Sequence, residues 1–262
     1  MANKVFVVDV DGTVMNTLDF YRKAIEEACS LIIEVLGSKA PSEHEIKIKH
    51  NKIQQEMVYE INPKIGLPFF YSKDKFPTSL VRIYRILCKE AGMETNKRIE
   101  EQLFSIGFKV FNKKRYLRKI KPSLLPLCKF LIKRGDIIIF LTKGDEEVQG
   151  DKKEALRKAG ILKYCDSRYF PDGFIIAKDA KEKHFREIRK KYGIGKIYYA
   201  VGDTYFDDIA PALLEGYFGI YIPSPFNWKE VGKLSEINHK RDKKRSNRYR
   251  DLSEIRRKYE YL

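Results

Sequence analysis

The feature that most constrains this chain is its opening run, Val5-Phe6-Val7-Val8-Asp9-Val10-Asp11-Gly12-Thr13. Consecutive apolar residues rich in Val read as a strand buried on both faces. Strands of that kind belong to parallel sheets covered by helices. The run ends in two acids one residue apart, then in a Gly that lets the chain turn sharply. Residues i and i+2 of a strand point the same way, so Asp9 and Asp11 can face one reacting centre. The C-terminal edge of such a strand is also where open α/β sheets hold their ligands. An Asp-Gly turn after a strand is common in itself, so the segment gains meaning only from what joins it.

Beyond Lys121-Pro122, strand and helix patterns alternate. The spacing predicts a helix over 124–133 and a buried strand over 136–141. A helix capped by Asp145 then runs to residue 159, followed by a short strand over 174–177 and a helix to residue 192. A strand over 197–201, a helix over 208–215 and a last strand over 217–222 complete the series. Alternation of this kind implies right-handed crossovers and a parallel, Rossmann-like sheet with helices on both faces. Between the first strand and this series, residues 17–119 carry helical spacing alone. Phe20, Ala24, Ala28, Leu31, Ile32 and Val35 mark a helix over 19–36 stopped by Gly37, and Ser42 with Glu45 has the form of a capping box opening a second, to about residue 61. Residues 62–77 read as a proline-rich loop, and two more helices span 78–91 and 95–111. The expected architecture is an α/β core domain (residues 1–16 and 120–262) interrupted by an all-helical insertion (17–119).

Composition removes several function classes. No apolar run approaches the roughly 20 residues of a membrane span, and because Met1–Lys4 lead straight into the first strand, a signal peptide is not expected. Cys29, Cys88, Cys128 and Cys165 are widely spaced, without a metal-ligand pattern, and are expected to be free thiols in a cytoplasmic protein. The net charge of +16 leaves nucleic acid open as a partner, although much of it lies on helical faces beside Glu. Residues 239–262 hold ten Lys or Arg against four Asp or Glu. That tail can meet a polyanion, or, with Leu252, Ile255 and Tyr259 at helical spacing, form a terminal helix docked on the core. Residues 223–228 lead the chain back across the domain, with Trp228 read as packing.

The polar residues that follow the strands carry the chemistry. The first strand ends in Asp9 and Asp11, the second in Thr142-Lys143-Gly144-Asp145, the third in Lys178-Asp179, and the fourth in Gly202-Asp203 with Asp207-Asp208. All four sets fall on one edge of a parallel sheet. A carboxylate can attack phosphorus and split one difficult displacement into two easier ones. A second acid can protonate the leaving oxygen and later deprotonate water. A hydroxyl and an ammonium can hold the phosphoryl oxygens, and further carboxylates suit a hard cation such as Mg²⁺.

At these residues the sequence resembles the haloacid dehalogenase (HAD) superfamily. Asp9-Val10-Asp11-Gly12-Thr13 is similar to its first motif, Thr142 to the second, Lys178 to the third, and Gly202-Asp203 with Asp207-Asp208 to the acidic fourth. The insertion between the first two motifs resembles a helical cap of the C1 type. Thr142-Lys143-Gly144-Asp145, followed by Gln149 and Lys153, resembles a capped, phosphatase-like branch. The resemblance implies Asp9 as nucleophile and Mg²⁺ ligand, and Asp11 as general acid/base that also gives its backbone carbonyl to the metal. Thr142, Lys143 and Lys178 would bind the phosphoryl group, and Asp203 would complete the metal site. Asp208 is favoured over Asp207 as the supporting acid. Lys178 is favoured because it directly follows its strand, with Lys181 and Lys183 close by. An acid at Asp11, where the dehalogenases have none, points to a phosphatase of small phosphorylated metabolites, and a phosphomutase has the same groups. The insertion is expected to exclude water from the crevice and to carry substrate selectivity, with Phe69, Phe70, Tyr71, Lys73 and Lys75 in one of its loops. The chain is expected to act as a monomer or homodimer without a membrane, and a nucleic-acid-associated role is the alternative.

Overall fold

The computed structural model describes residues 4–224, 242 and 244–262; Trp228 and part of the basic tail lie outside them. The chain divides into two compact units, one formed by the described residues through Leu18 with those from Lys113 onward, the other by Asp19–Asn112.

In chain order, strand β1 (Lys4–Val8) precedes helices α1 (Leu18–Leu36) and α2 (Glu43–Glu56), a two-stranded pair β2 (Ile61–Asn62) and β3 (Leu67–Pro68), and helices α3 (Lys75–Glu90) and α4 (Lys97–Phe108). The remainder alternates: α5 (Leu124–Lys133), β4 (Ile137–Lys143), α6 (Glu146–Lys158), β5 (Phe174–Ala177), α7 (Glu182–Tyr192), β6 (Ile197–Gly202), α8 (Ala210–Leu214) and β7 (Phe218–Tyr221). Strand β8 (Ser246–Arg248) and helix α9 (Leu252–Arg257) close the chain.

The larger unit is the α/β core that the alternation implies. Among the described residues its sheet has six strands in the order β5-β4-β1-β6-β7-β8, every pair parallel. Strand β1 is central, with Val8 in register with Phe140 of β4 and Val201 of β6. Val5, Phe6, Ile139 and Phe140 have no measurable exposure, as strands covered on both faces require. Each such side chain contributes roughly 1.5–3 kcal/mol by leaving water. Phe6 stacks on Tyr199 of the adjacent strand at 5.2 Å between ring centres.

The tail adds a strand that its sequence does not announce. Ser246-Asn247-Arg248 has no apolar run, yet it extends the sheet beyond β7 as a short, polar edge, the form edge strands commonly take. Leu252, Ile255 and Tyr259 are buried, and α9 packs on α5. The Tyr259 hydroxyl donates to Asp136 Oδ2 at 2.6 Å, and the Lys4 ammonium lies 3.8 Å from the centre of its ring.

The smaller unit is built on four helices. Ser42 does form the capping box: its hydroxyl accepts from the Glu45 amide, and the Glu45 carboxylate accepts from the Ser42 amide at 2.9 Å. Two departures from the sequence reading occur here. Helix α3 begins at Lys75, because Pro77 sits in the first turn, where its missing N–H is no loss. Residues 61–68 form a minimal antiparallel ladder, so the unit is not wholly helical. The four cysteines are free, three of them buried. No helix among the described residues is long and apolar enough to cross a membrane.

Candidate active site

Parallel pairing sends the C-terminal ends of β4, β5, β1 and β6 to one edge of the core sheet. Strands β4 and β5 lie to one side of β1 and β6 to the other, so the edge opens at β1, the position where such sheets bind ligands. The Asp9 amide still bonds to Val201 of β6 at 2.8 Å, which fixes the first acid at the strand's last rung. Gly12 then turns the chain at φ +77°, and a Cβ there would lie 2.1 Å from Asp203 Oδ2. The two acidic segments can approach only because residue 12 has no side chain.

Asp9, Asp203 and Asp208 converge. Each can offer an oxygen within 4.8 Å of the others, and all three are buried. Asp208 is carried inward by a π-helical turn over Tyr205–Ile209, a backbone form frequent at functional sites. Its Oδ2 accepts from the Thr204 amide at 3.0 Å and the Thr204 hydroxyl at 2.8 Å. Gly202 makes room for it, since a Cβ there would stand 2.2 Å from Asp208 Cβ.

The Lys181 ammonium lies among these acids. Its Nζ donates to Asp9 Oδ1 at 2.6 Å and Asp208 Oδ1 at 2.7 Å, with the side chain 3% exposed. Burial opposes that charge, but the carboxylates of Asp208 and Asp9 outweigh it and raise the Lys181 pKa. Burial pushes Asp9 up to about 7 despite Lys181, and Asp208 and Asp11 push it the same way. Asp203 is raised well above the usual carboxylate range by burial, then by Asp9 and Asp208. Lys121 sits close by and donates to the Gly12 carbonyl at 2.6 Å; burial lowers its pKa against the pull of Asp203 and Asp9.

Asp11 faces a different set. Its Oδ2 accepts from Lys152 Nζ at 2.6 Å and Gln149 Nε2 at 3.0 Å, and its Oδ1 accepts from the Thr17 hydroxyl. Burial raises its pKa, but Lys152 with these donors prevails and holds it below the ordinary value. Thr142 is fully buried and donates to Gln149 Oε1 at 3.1 Å.

Three residues of the sequence reading stand elsewhere. Lys178 is 81% exposed and pairs with Glu146 at 3.7 Å, outside the acidic group. The reason is the short link between β5 and α7: the residue next to the strand faces solvent, and the residue that reaches back is Lys181, at the helix start. Asp207 is half-exposed and bonds to Lys143, and of the two neighbouring acids it is Asp208 that joins Asp9 and Asp203. Lys153, named with Gln149, pairs with Asp172 at 2.9 Å, while its neighbour Lys152 reaches Asp11. A sequence signal for Lys152 existed: the buried stripe of α6 is Val148, Gln149, Lys152, Ala155 and Leu156, with a lysine at its middle.

The donor set suits a hard divalent cation. Three buried carboxylates crowd together beside Lys181, and the raised pKa values of Asp9 and Asp203 register first their burial and then the nearness of the other acids. Oxygen donors of this kind, in a shared crevice, are the ligands that Mg²⁺ takes.

No family model matches the sequence, and no curated protein matches it. Solved structures do match. A haloacid dehalogenase-like family hydrolase from Xanthomonas campestris superposes with a TM-score of 0.65 at 16% identity, over 96% of this chain and 92% of that one. A protein described as a predicted phosphoglycolate phosphatase from Haemophilus somnus gives 0.56 at 16% identity, over 97% of each chain. A dehalogenase gives 0.50 at 14% identity, over 97% of this chain and 95% of the other.

Proposed function

This chain has the fold of haloacid dehalogenase-like hydrolases, and we propose that it is a Mg²⁺-dependent phosphatase of small phosphorylated metabolites in the cytoplasm. The observation that carries this reading is the group of Asp9, Asp203 and Asp208 around Lys181, with Asp11 on the same strand end.

Asp9, Asp203 and Asp208 are the side chains that would hold the ion, which lowers the repulsion between anionic carboxylates and an anionic substrate and draws off charge as it develops. The chain's own groups do the rest. Asp9 attacks phosphorus; an O–P bond forms to its carboxylate as the bond to the leaving oxygen breaks. Asp11, whose donors favour its ionised form, gives a proton to that oxygen from the protonated minority. Water then attacks the acyl phosphate, passing a proton back to Asp11 and releasing phosphate with Asp9 restored. Lys181 keeps the Asp9 carboxyl oriented and offsets its charge. The Thr142 hydroxyl turns from Gln149 to a phosphoryl oxygen when substrate arrives. Selectivity for the organic part is assigned to the helical unit.

The test is phosphate release from p-nitrophenyl phosphate and a panel of phosphorylated metabolites, with MgCl₂ or with EDTA. Turnover is expected only with the divalent ion and is lost in Asp9→Asn. Activity that survives this substitution, or that ignores EDTA, rejects the reading.

A further inference from the structure

A buried lysine beside Asp11 has no part in the reaction as written. Lys152 is 2% exposed on the inner face of α6, and its ammonium lies 2.6 Å from Asp11 Oδ2 and 5.7 Å from the centre of the Tyr116 ring. One turn earlier on the same face, Gln149 donates to the same oxygen and to the Lys143 carbonyl at 3.2 Å. Two acceptors claim the amide nitrogen, so its oxygen must face Thr142, from which it accepts. Thr17 holds the other oxygen of Asp11. Three donors from two parts of the chain thus fix both oxygens of this carboxyl, while its side chain keeps 24% exposure.

Fold stability alone is a poor account of Lys152. A buried ion pair is weak evidence for stability, because desolvation of the two charges offsets much of their attraction. A general acid, by contrast, works only within hydrogen-bond reach of the atom it protonates, and a displacement of about 1 Å can cost on the order of a hundredfold in rate. We propose that Lys152, acting with Gln149, is the positioning residue for Asp11, fixing the carboxyl orientation from which it exchanges a proton with the leaving oxygen. The inference rests on the phosphatase reading above. Lys152 itself touches neither phosphorus nor the leaving group.

The test is kcat/KM for a series of aryl phosphates of rising leaving-group basicity, in saturating MgCl₂. This parameter reports steps through phosphoryl transfer and so leaves out the later hydrolysis. Proton donation matters most for basic leaving groups. Lys152→Met is therefore expected to lose roughly tenfold to a hundredfold on phenyl phosphate and less than about threefold on 2,4-dinitrophenyl phosphate, steepening the dependence. In an Asp11→Asn background the same substitution is expected to add no further slope, because the group it positions is gone. Lys152→Gln, which keeps the volume polar, provides a second variant should the first fold poorly, and is expected to steepen the slope in the same direction. Equal losses on every leaving group, or full additivity with Asp11→Asn, overturn the proposal and leave the phosphatase reading intact. Wild-type protein inert toward all aryl phosphates with MgCl₂ overturns both.

Discussion

Replacing Lys181 with methionine isolates the electrostatics of the site. The ammonium lies 2.6 Å from Asp9 Oδ1 and 2.7 Å from Asp208 Oδ1. At an effective dielectric of about 20, each contact is worth about 6 kcal/mol before the cost of desolvating the charges. Removing one partner of a buried pair costs about 3–5 kcal/mol in practice, and Lys181→Met is expected to fall in that range in EDTA at pH 8. The loss depends on pH with a definite sign. Asp9 is already pushed up to about 7, and without the ammonium it binds its proton more tightly still. A carboxyl whose folded pKa lies above its unfolded value destabilises the fold as pH rises toward that folded pKa. The variant is therefore closer to wild type at pH 6 than at pH 8, and MgCl₂ recovers part of the difference. Urea unfolding followed by circular dichroism measures all three quantities. Lys178→Met, at the exposed lysine next to β5, is the control and shifts stability by less than about 0.5 kcal/mol. A loss below about 1 kcal/mol in Lys181→Met, or one independent of pH, refutes the reasoning.

Three further outcomes follow from buried groups. Asp203→Asn is expected to leave the metal-free protein at least as stable as wild type at pH 8, since burial with Asp9 and Asp208 already penalises the charged carboxyl; thermal unfolding should also show the MgCl₂-dependent rise in Tm abolished. In the helical unit, burial lowers His50 to about 4, and its Nε2 lies 2.8 Å from Ser79 Oγ. The unfolded chain takes up a proton near pH 6.5 that the folded unit refuses, so stability is full above that pH and falls below it. The advantage of wild type over His50→Asn in urea should shrink by about 2–3 kcal/mol between pH 7.5 and 4.5. Tyr259→Phe removes the donor to Asp136 at the C-terminal end of the chain, and thermal unfolding should show a cost of about 1–2 kcal/mol.

The parts of this protein legible in the sequence are those where one residue type has one physical use. Val5–Val8 reads as a buried strand, and Gly12 marks the sharp turn that follows the two acids. Alternation after residue 121 implied parallel strands, which in turn sends Asp9, Thr142 and Asp203 to one edge. Choices between neighbours were less legible. Lys178 and Lys181 lie three residues apart and Lys152 and Lys153 are consecutive, and sequence proximity to a strand or motif does not decide which of each pair turns inward. Burial periodicity would have chosen Lys152, because it lies within the inner stripe of α6. Strand β8 was invisible for a different reason: three polar residues at an edge pair through their backbone, so their side chains carry no strand pattern.

The central claim is that phosphorus is bonded to Asp9 during turnover. Acid-quenching the protein during steady-state turnover of an aryl phosphate, then mapping peptides by mass spectrometry, tests it most directly. One phosphoryl group is expected on the peptide carrying Asp9, sensitive to hydroxylamine, more abundant when hydrolysis of the acyl phosphate is slowed, and absent in Asp9→Asn. Sustained phosphate release with that peptide unmodified throughout, or with the phosphoryl group on another residue, contradicts it.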